Sequence, residues 1–64
     1  SFTQLLEEIR KQLAEQYLVN SQLSFNEITY LLGFANQANF TRAFKRWYGM
    51  TPGSYRQQQL KLTA

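Results

Sequence analysis

Gln37, Asn39 and Arg42, followed by Lys45 and Arg46, are the side chains of this sequence best suited to recognising another molecule. Arginine can donate paired hydrogen bonds to O6 and N7 of guanine, and glutamine or asparagine can pair bidentately with adenine in the major groove of duplex DNA. The methyl groups of Ala38 and Thr41, interspersed among them, can touch the methyl of thymine. Each good bidentate pair is worth about 1 to 3 kcal/mol of discrimination against a wrong base. Lys45 and Arg46, farther along, suit phosphate oxygens, which add affinity without sequence information. Bond-breaking chemistry has little material to work with. The absence of cysteine and histidine rules out disulfides, thiolate or imidazole metal clusters and the usual pairings of nucleophile and base. The only carboxylate side chains are Glu7, Glu8, Glu15 and Glu27, at positions that read as exposed or capping. The expectation is therefore no catalytic residue, no metal and no cofactor.

These recognition residues need a rigid element beneath them, and the pattern supplies a helix. At 100° per residue, Phe40, Ala43, Phe44 and Trp47 fall within about 80° of one another and form a buried stripe. Ala38, Arg42 and Lys45 point the opposite way, with Asn39, Thr41 and Arg46 on the flanks and Gln37 exposed in the first turn. Asn36 is placed to cap this helix and Gly49 to close it. The aromatic residues read as core, because rings at helical spacing usually pack together; they are not expected to stack on bases.

The neighbouring elements follow from caps and periodicity. Ser1 and Gln4 form a capping box ahead of Phe2, Leu5, Leu6, Ile9, Leu13, Tyr17 and Leu18, which predicts a first helix from Phe2 to Val19. At about 1.5 Å per residue it is roughly 27 Å long, more than a small three-helix core needs, so its first turns either overhang or pack on something outside this chain. Ser24 and Glu27 supply a second capping box, with Leu23 set to staple against Ile28. The second helix starts at Phe25, with Ile28, Leu31 and Leu32 expected to turn inward. Gly33 stops it, and Phe34 folds back over the turn. Thr51 and Pro52 open a fourth helix whose Tyr55 can reach the core, and the stretch from Arg56 to Ala64 is expected to fray.

Sixty-four residues make one domain near the lower size limit for a self-sufficient core. Charge is unevenly spread along it. Residues 1 to 20 hold three glutamates against Arg10 and Lys11, a net charge of −1; residues 21 to 64 hold Arg42, Lys45, Arg46, Arg56 and Lys61 against Glu27, a net charge of +4. A basic second half suits a polyanion. Taken singly, an outward arginine or a polar residue at a helix start is ordinary solvated surface. The combination is what points to a DNA-reading helix-turn-helix: a short capped helix, a turn containing glycine, and a helix with segregated faces. Helix N-termini at Ser24 to Asn26 and Thr51 to Gly53 offer further phosphate positions, although Glu27 opposes an anion at the first.

The run from Ile28 to Arg56 closely resembles the second helix-turn-helix of AraC/XylS-type bacterial transcription regulators. The resemblance is carried by the Gly33-Phe34 turn, by Phe40-x-x-Ala43-Phe44-Lys45 and by Gly49-x-Thr51-Pro52-x-x-Tyr55-Arg56. Residues 1 to 20 are similar to that family's long linker helix, leaving 21 to 64 as the helix-turn-helix unit. The fold class this implies is all-α: a homeodomain-like three-helix core with a long N-terminal linker helix, four helices in all. By position, the family's base-contacting sites fall on Gln37, Ala38, Asn39 and Arg42, with Thr41 beside them. Phosphate contacts fall near the start of the second helix and around Thr51 and Pro52, which together with the residue-level reading makes Ser24, Asn26, Lys45, Arg46 and Thr51 the candidates. Ala38 departs from the polar residue some members carry, so any base contact there is apolar or absent.

The expected partner is double-stranded DNA, with no membrane association and a cytoplasmic location. The resemblance also implies a longer parent regulator that can dimerise through a domain outside this chain. The rival reading is a helical protein-interaction module that contacts the transcription machinery, such as an RNA polymerase subunit, through the outer faces of the second and third helices.

Overall fold

Ser24 starts a helix by exchanging two hydrogen bonds with Glu27: its Oγ accepts from the Glu27 amide at 3.1 Å, and its own amide donates to Glu27 Oε1 at 2.9 Å. Ser1 and Gln4 do the same one helix earlier. In the computed structural model, which describes residues 1–63 with side chains through Lys61, four helices follow in order: α1 (Phe2–Asn20), α2 (Phe25–Leu31), α3 (Gln37–Tyr48) and α4 (Pro52–Thr63). No strand occurs among the described residues.

The turn between α2 and α3 is closed by backbone geometry. Gly33 takes φ +82°, and its amide donates to the Tyr30 carbonyl while that of Phe34 donates to Thr29, each at 3.1 Å. The Thr29 and Tyr30 carbonyls, near the end of α2, thereby find backbone donors. Asn36 Oδ1 then accepts from the Asn39 amide at 2.8 Å and starts α3. Gly49, at φ +79°, ends it. Thr51 Oγ1 accepts from the Ser54 amide at 3.2 Å, and Pro52 occupies the first position of α4, where its missing N–H leaves no bond unmade.

The core forms where the second half of α1 (Ala14, Leu18), α2 (Ile28, Leu32) and α3 (Phe40, Phe44) converge. Leu13, Tyr17, Leu23, Phe25, Phe34, Trp47, Tyr48 and Tyr55 pack around it. One inward position differs from expectation. Leu31 remains 53% exposed, and Thr29 is buried instead, its hydroxyl donating to the Phe25 carbonyl at 2.7 Å. The reason is angular: on the α2 wheel Leu32 and Thr29 lie to one side of Ile28, and Leu31 lies about 60° to the other, beyond the arc that faces the core.

The fourth helix runs from Pro52 to Thr63; Ala64, the last residue of the stretch expected to fray, lies outside the described residues. Arg56 fastens its first half. Nε donates to the Leu18 carbonyl at 3.0 Å and Nη2 to that of Tyr17 at 3.3 Å, supplying donors to the C-terminal end of α1, which has no basic residue of its own there. At the opposite end of α1 the apolar side chains are uncovered, with Phe2 79% exposed. The molecule is accordingly elongated, 39 × 20 × 18 Å.

Candidate nucleic-acid interface

The third helix has one face welded to the core and one in solvent. Phe40 and Phe44 are fully buried, with ring centroids 6.0 Å apart, and Trp47 is half-buried against Phe34 at 6.2 Å. Phe44 also meets Tyr48 and Tyr55 at 4.7 and 5.4 Å. On the other face Gln37, Ala38, Arg42 and Lys45 are exposed, and Asn39 and Thr41 sit half-buried at its margins. All five candidate base-reading positions thus fall on the exposed face of α3 or along its edge.

Within that face two residues are joined. Arg42 Nη2 donates to Asn39 Oδ1, while the Asn39 amide is already engaged by the Asn36 cap. A guanidinium has five N–H donors, so most of Arg42's remain available after this bond. Asn39 has one side-chain acceptor oxygen, and Arg42 occupies part of it. The bond therefore orients Arg42 and limits the pairing Asn39 can make alone.

The candidate phosphate groups are more dispersed. Lys45 is exposed and forms no ion pair among the described residues. Arg46 is in a different situation: its Nη2 lies 2.6 Å from Glu7 Oε1, and the same oxygen accepts from Trp47 Nε1 at 2.9 Å. Those hydrogen bonds, from Trp47 first and Arg46 second, hold the Glu7 carboxyl below its ordinary pKa. Ser24 and Thr51 use their hydroxyls as helix caps, and Asn26 is exposed on the first turn of α2. Hydrogen bonds from the Ser24 backbone and side chain likewise hold the Glu27 carboxyl low, so a negative charge persists at that helix start.

Several contacts that set the geometry of this face were not anticipated by the sequence. Glu7 and Arg10, on successive turns of α1, reach the end of α3 and the glycine turn; the Arg10 guanidinium lies 5.0 Å from the centroid of the Phe34 ring. Tyr48 Oη donates to the Lys11 carbonyl and Tyr55 Oη to Glu15 Oε2, each at 2.9 Å. Burial foremost, with Glu15 adding to it, pushes the Tyr55 hydroxyl up to about 12. The hydrogen bonds among them join residues 37 to 40 positions apart, a separation that helical periodicity does not encode. The one available signal was at Arg56, because a helix lacking basic residues in its last turn needs donors from elsewhere.

Among known proteins, a helix-turn-helix domain family matches residues 1–58. The ornithine utilization regulator of Pseudomonas aeruginosa is 47% identical over 57 residues, spanning 89% of this chain and 17% of that protein. The urease operon transcriptional activator of Escherichia coli is 43% identical over 58 residues, spanning 91% of this chain and 20% of that protein. Among solved structures, the transcriptional regulator CdpR from Pseudomonas aeruginosa superposes with a TM-score of 0.79 at 33% identity, covering 86% of this chain and 18% of that one. The chain thus spans a small part of each of these regulators. Its four-helix fold, the match across residues 1–58 and the regulators it resembles make it a member of the AraC-type helix-turn-helix family, the DNA-binding family of bacterial transcriptional regulators.

Proposed function

We propose that this chain binds double-stranded DNA sequence-specifically, with α3 in the major groove, as the DNA-reading part of a transcription regulator, and that it catalyses no reaction. The observation that carries this reading is the division of α3: Phe40 and Phe44 are wholly buried while Gln37, Ala38 and Arg42 stand exposed on the opposite side. Arg42 reads guanine, Gln37 and the Asn39–Arg42 pair shape the neighbouring preference, and Ala38 and Thr41 offer methyl contacts. Lys45, Ser24, Asn26 and Thr51 approach phosphate and set the register. With so few charge contacts, binding of the chain by itself to non-specific DNA falls on the order of 10⁻⁴ to 10⁻⁶ M at physiological salt. Joined to a second DNA-binding unit in a longer protein, it would gain affinity through effective concentration.

The experiment is a titration of the chain with duplex DNA at low salt, followed by backbone chemical shifts. Shifts concentrated in residues 36 to 46, combined with a guanine preference that Arg42→Ala relaxes and Lys45→Ala leaves intact, support the reading. A second reading, docking to a protein of the transcription machinery, draws on Tyr30 and Leu31, which stand 83% and 53% exposed on the outer face of α2. An absence of shifts in 36 to 46 under saturating duplex would transfer the assignment to it.

A further inference from the structure

We propose that Glu7 is a positioning residue which ties Arg46, near the end of α3, to α1 and so withholds that arginine from the DNA backbone. The inference rests on the DNA-binding reading above and adds to it the identity of a basic residue that does not take part. Arg46 looks from the sequence like a phosphate ligand, one residue beyond Lys45 on a basic helix. Its surroundings differ from those of Lys45 in one respect: a carboxylate from α1 stands against it.

The carboxylate's place is set by a group that cannot readily move. Trp47 Nε1 donates to Glu7 Oε1 at 2.9 Å, and the indole is half-buried against Phe34, whose ring in turn packs on the buried Phe40 at 5.8 Å. Arg46 Nη2 reaches that same oxygen at 2.6 Å, so the ion pair is seated on a fixed acceptor and is not a chance meeting of two free side chains. One turn farther along α1, Arg10 lies over Phe34 and gives the helix a second hold on the same region. The Arg46 side chain remains 65% exposed, so the guanidinium is accessible to solvent and yet electrically compensated. Counterions condensed on DNA are released when a protein charge neutralises a phosphate. An arginine already neutralised by a carboxylate contributes little to that release.

Two measurements test this on the full 64-residue chain. The single tryptophan provides one indole N–H resonance, and Glu7→Ala should move it while Glu8→Ala should not; an indole signal indifferent to Glu7→Ala overturns the proposal. The second measurement is the slope of log affinity against log salt for duplex DNA, with folding of each variant verified by circular dichroism. Glu7→Gln should steepen the slope by about 0.9, the value for one released charge. Glu8→Gln, the same change of charge on the same helix, should leave it near the wild-type value, and Glu7→Gln/Arg46→Gln should restore it. Equal steepening by the two single variants would show a general charge effect and overturn the proposal. So would a double variant whose slope falls below wild type by about one charge, since Arg46 would then have met phosphate all along. Either pattern in a wild-type chain that binds duplex leaves the DNA reading standing, whereas a wild type that fails to bind duplex removes both.

Discussion

Arg42 and Asn39 cannot be treated as independent letters of a recognition code, because the guanidinium of one is hydrogen-bonded to the amide oxygen of the other. Binding energies of Asn39→Ala, Arg42→Ala and the double variant should be non-additive by about 0.5 to 3 kcal/mol, the range for residues that touch. Isothermal titration against a preferred duplex measures it, and strict additivity would mean that the two side chains act separately on DNA. The two turn glycines permit a similarly local comparison. Both have positive φ, but an added Cβ at Gly49 meets nothing within 4 Å, while at Gly33 it comes within 3.2 Å of Arg10 Nη2. Gly49→Ala should therefore cost about 1 to 2 kcal/mol from backbone strain alone. Gly33→Ala should cost slightly more, since the tip of the Arg10 guanidinium must also give by a few tenths of an ångström. Denaturant unfolding of both variants gives the order, and equal losses would show that Arg10 gives way freely.

At the scale of elements, α3 depends on its anchor far more than on its cap. Phe44 is fully buried among Phe40, Tyr48 and Tyr55, and Phe44→Ala should cost about 3 to 5 kcal/mol, whereas Asn36→Ala should cost about 1 kcal/mol by removing one capping acceptor. Thermal melts rank the two. A melt in which Asn36→Ala is the worse variant would mean that capping outweighs packing in α3. Acid acts on the joints between elements. The Glu7 and Glu27 carboxyls are both held below their ordinary values, so each group's contribution is fully present above the ordinary glutamate range and is lost as pH falls through the lowered value. The melting temperature should decline on acidification across that window, and Glu7→Gln should flatten the part of the decline that belongs to the α1–α3 joint. A Glu7→Gln profile parallel to wild type would show that Glu7 contributes nothing to it.

The whole molecule is small, and its stabilising contacts are concentrated away from the start of α1. Typical stabilities of about 0.05 to 0.15 kcal/mol per residue place a chain of this size at roughly 3 to 10 kcal/mol, so loss of a single buried phenylalanine removes much of the total. Toward the start of α1, Phe2, Leu5, Leu6 and Ile9 remain exposed while Ala14 and Leu18 lie in the core. Hydrogen exchange should accordingly reveal a gradient along one continuous helix, with amides in the first turns opening locally and those near Leu18, Phe40 and Phe44 exchanging only with global unfolding. Uniform protection along α1 would mean that its early turns are held as firmly as its late ones.

The extent to which fold and site were legible depends on how far apart the cooperating residues lie in the chain. Capping boxes at Ser1 and Ser24, the Asn36 cap, the glycine stops at 33 and 49 and the aromatic stripe of α3 are all properties of a few consecutive residues, and sequence alone determined them, with the outward face of α3 as their consequence. Leu31 was misplaced because the inward arc of a seven-residue helix is set by what packs against it, and its own pattern does not contain that information. Only the tertiary structure decided that Glu7 holds Arg46 and Trp47, that Arg10 covers Phe34, and that Arg56 serves the end of α1 although it is as basic as any phosphate ligand. Helical periodicity fixes direction around one axis, whereas the partner of a charged side chain is fixed by how two axes cross.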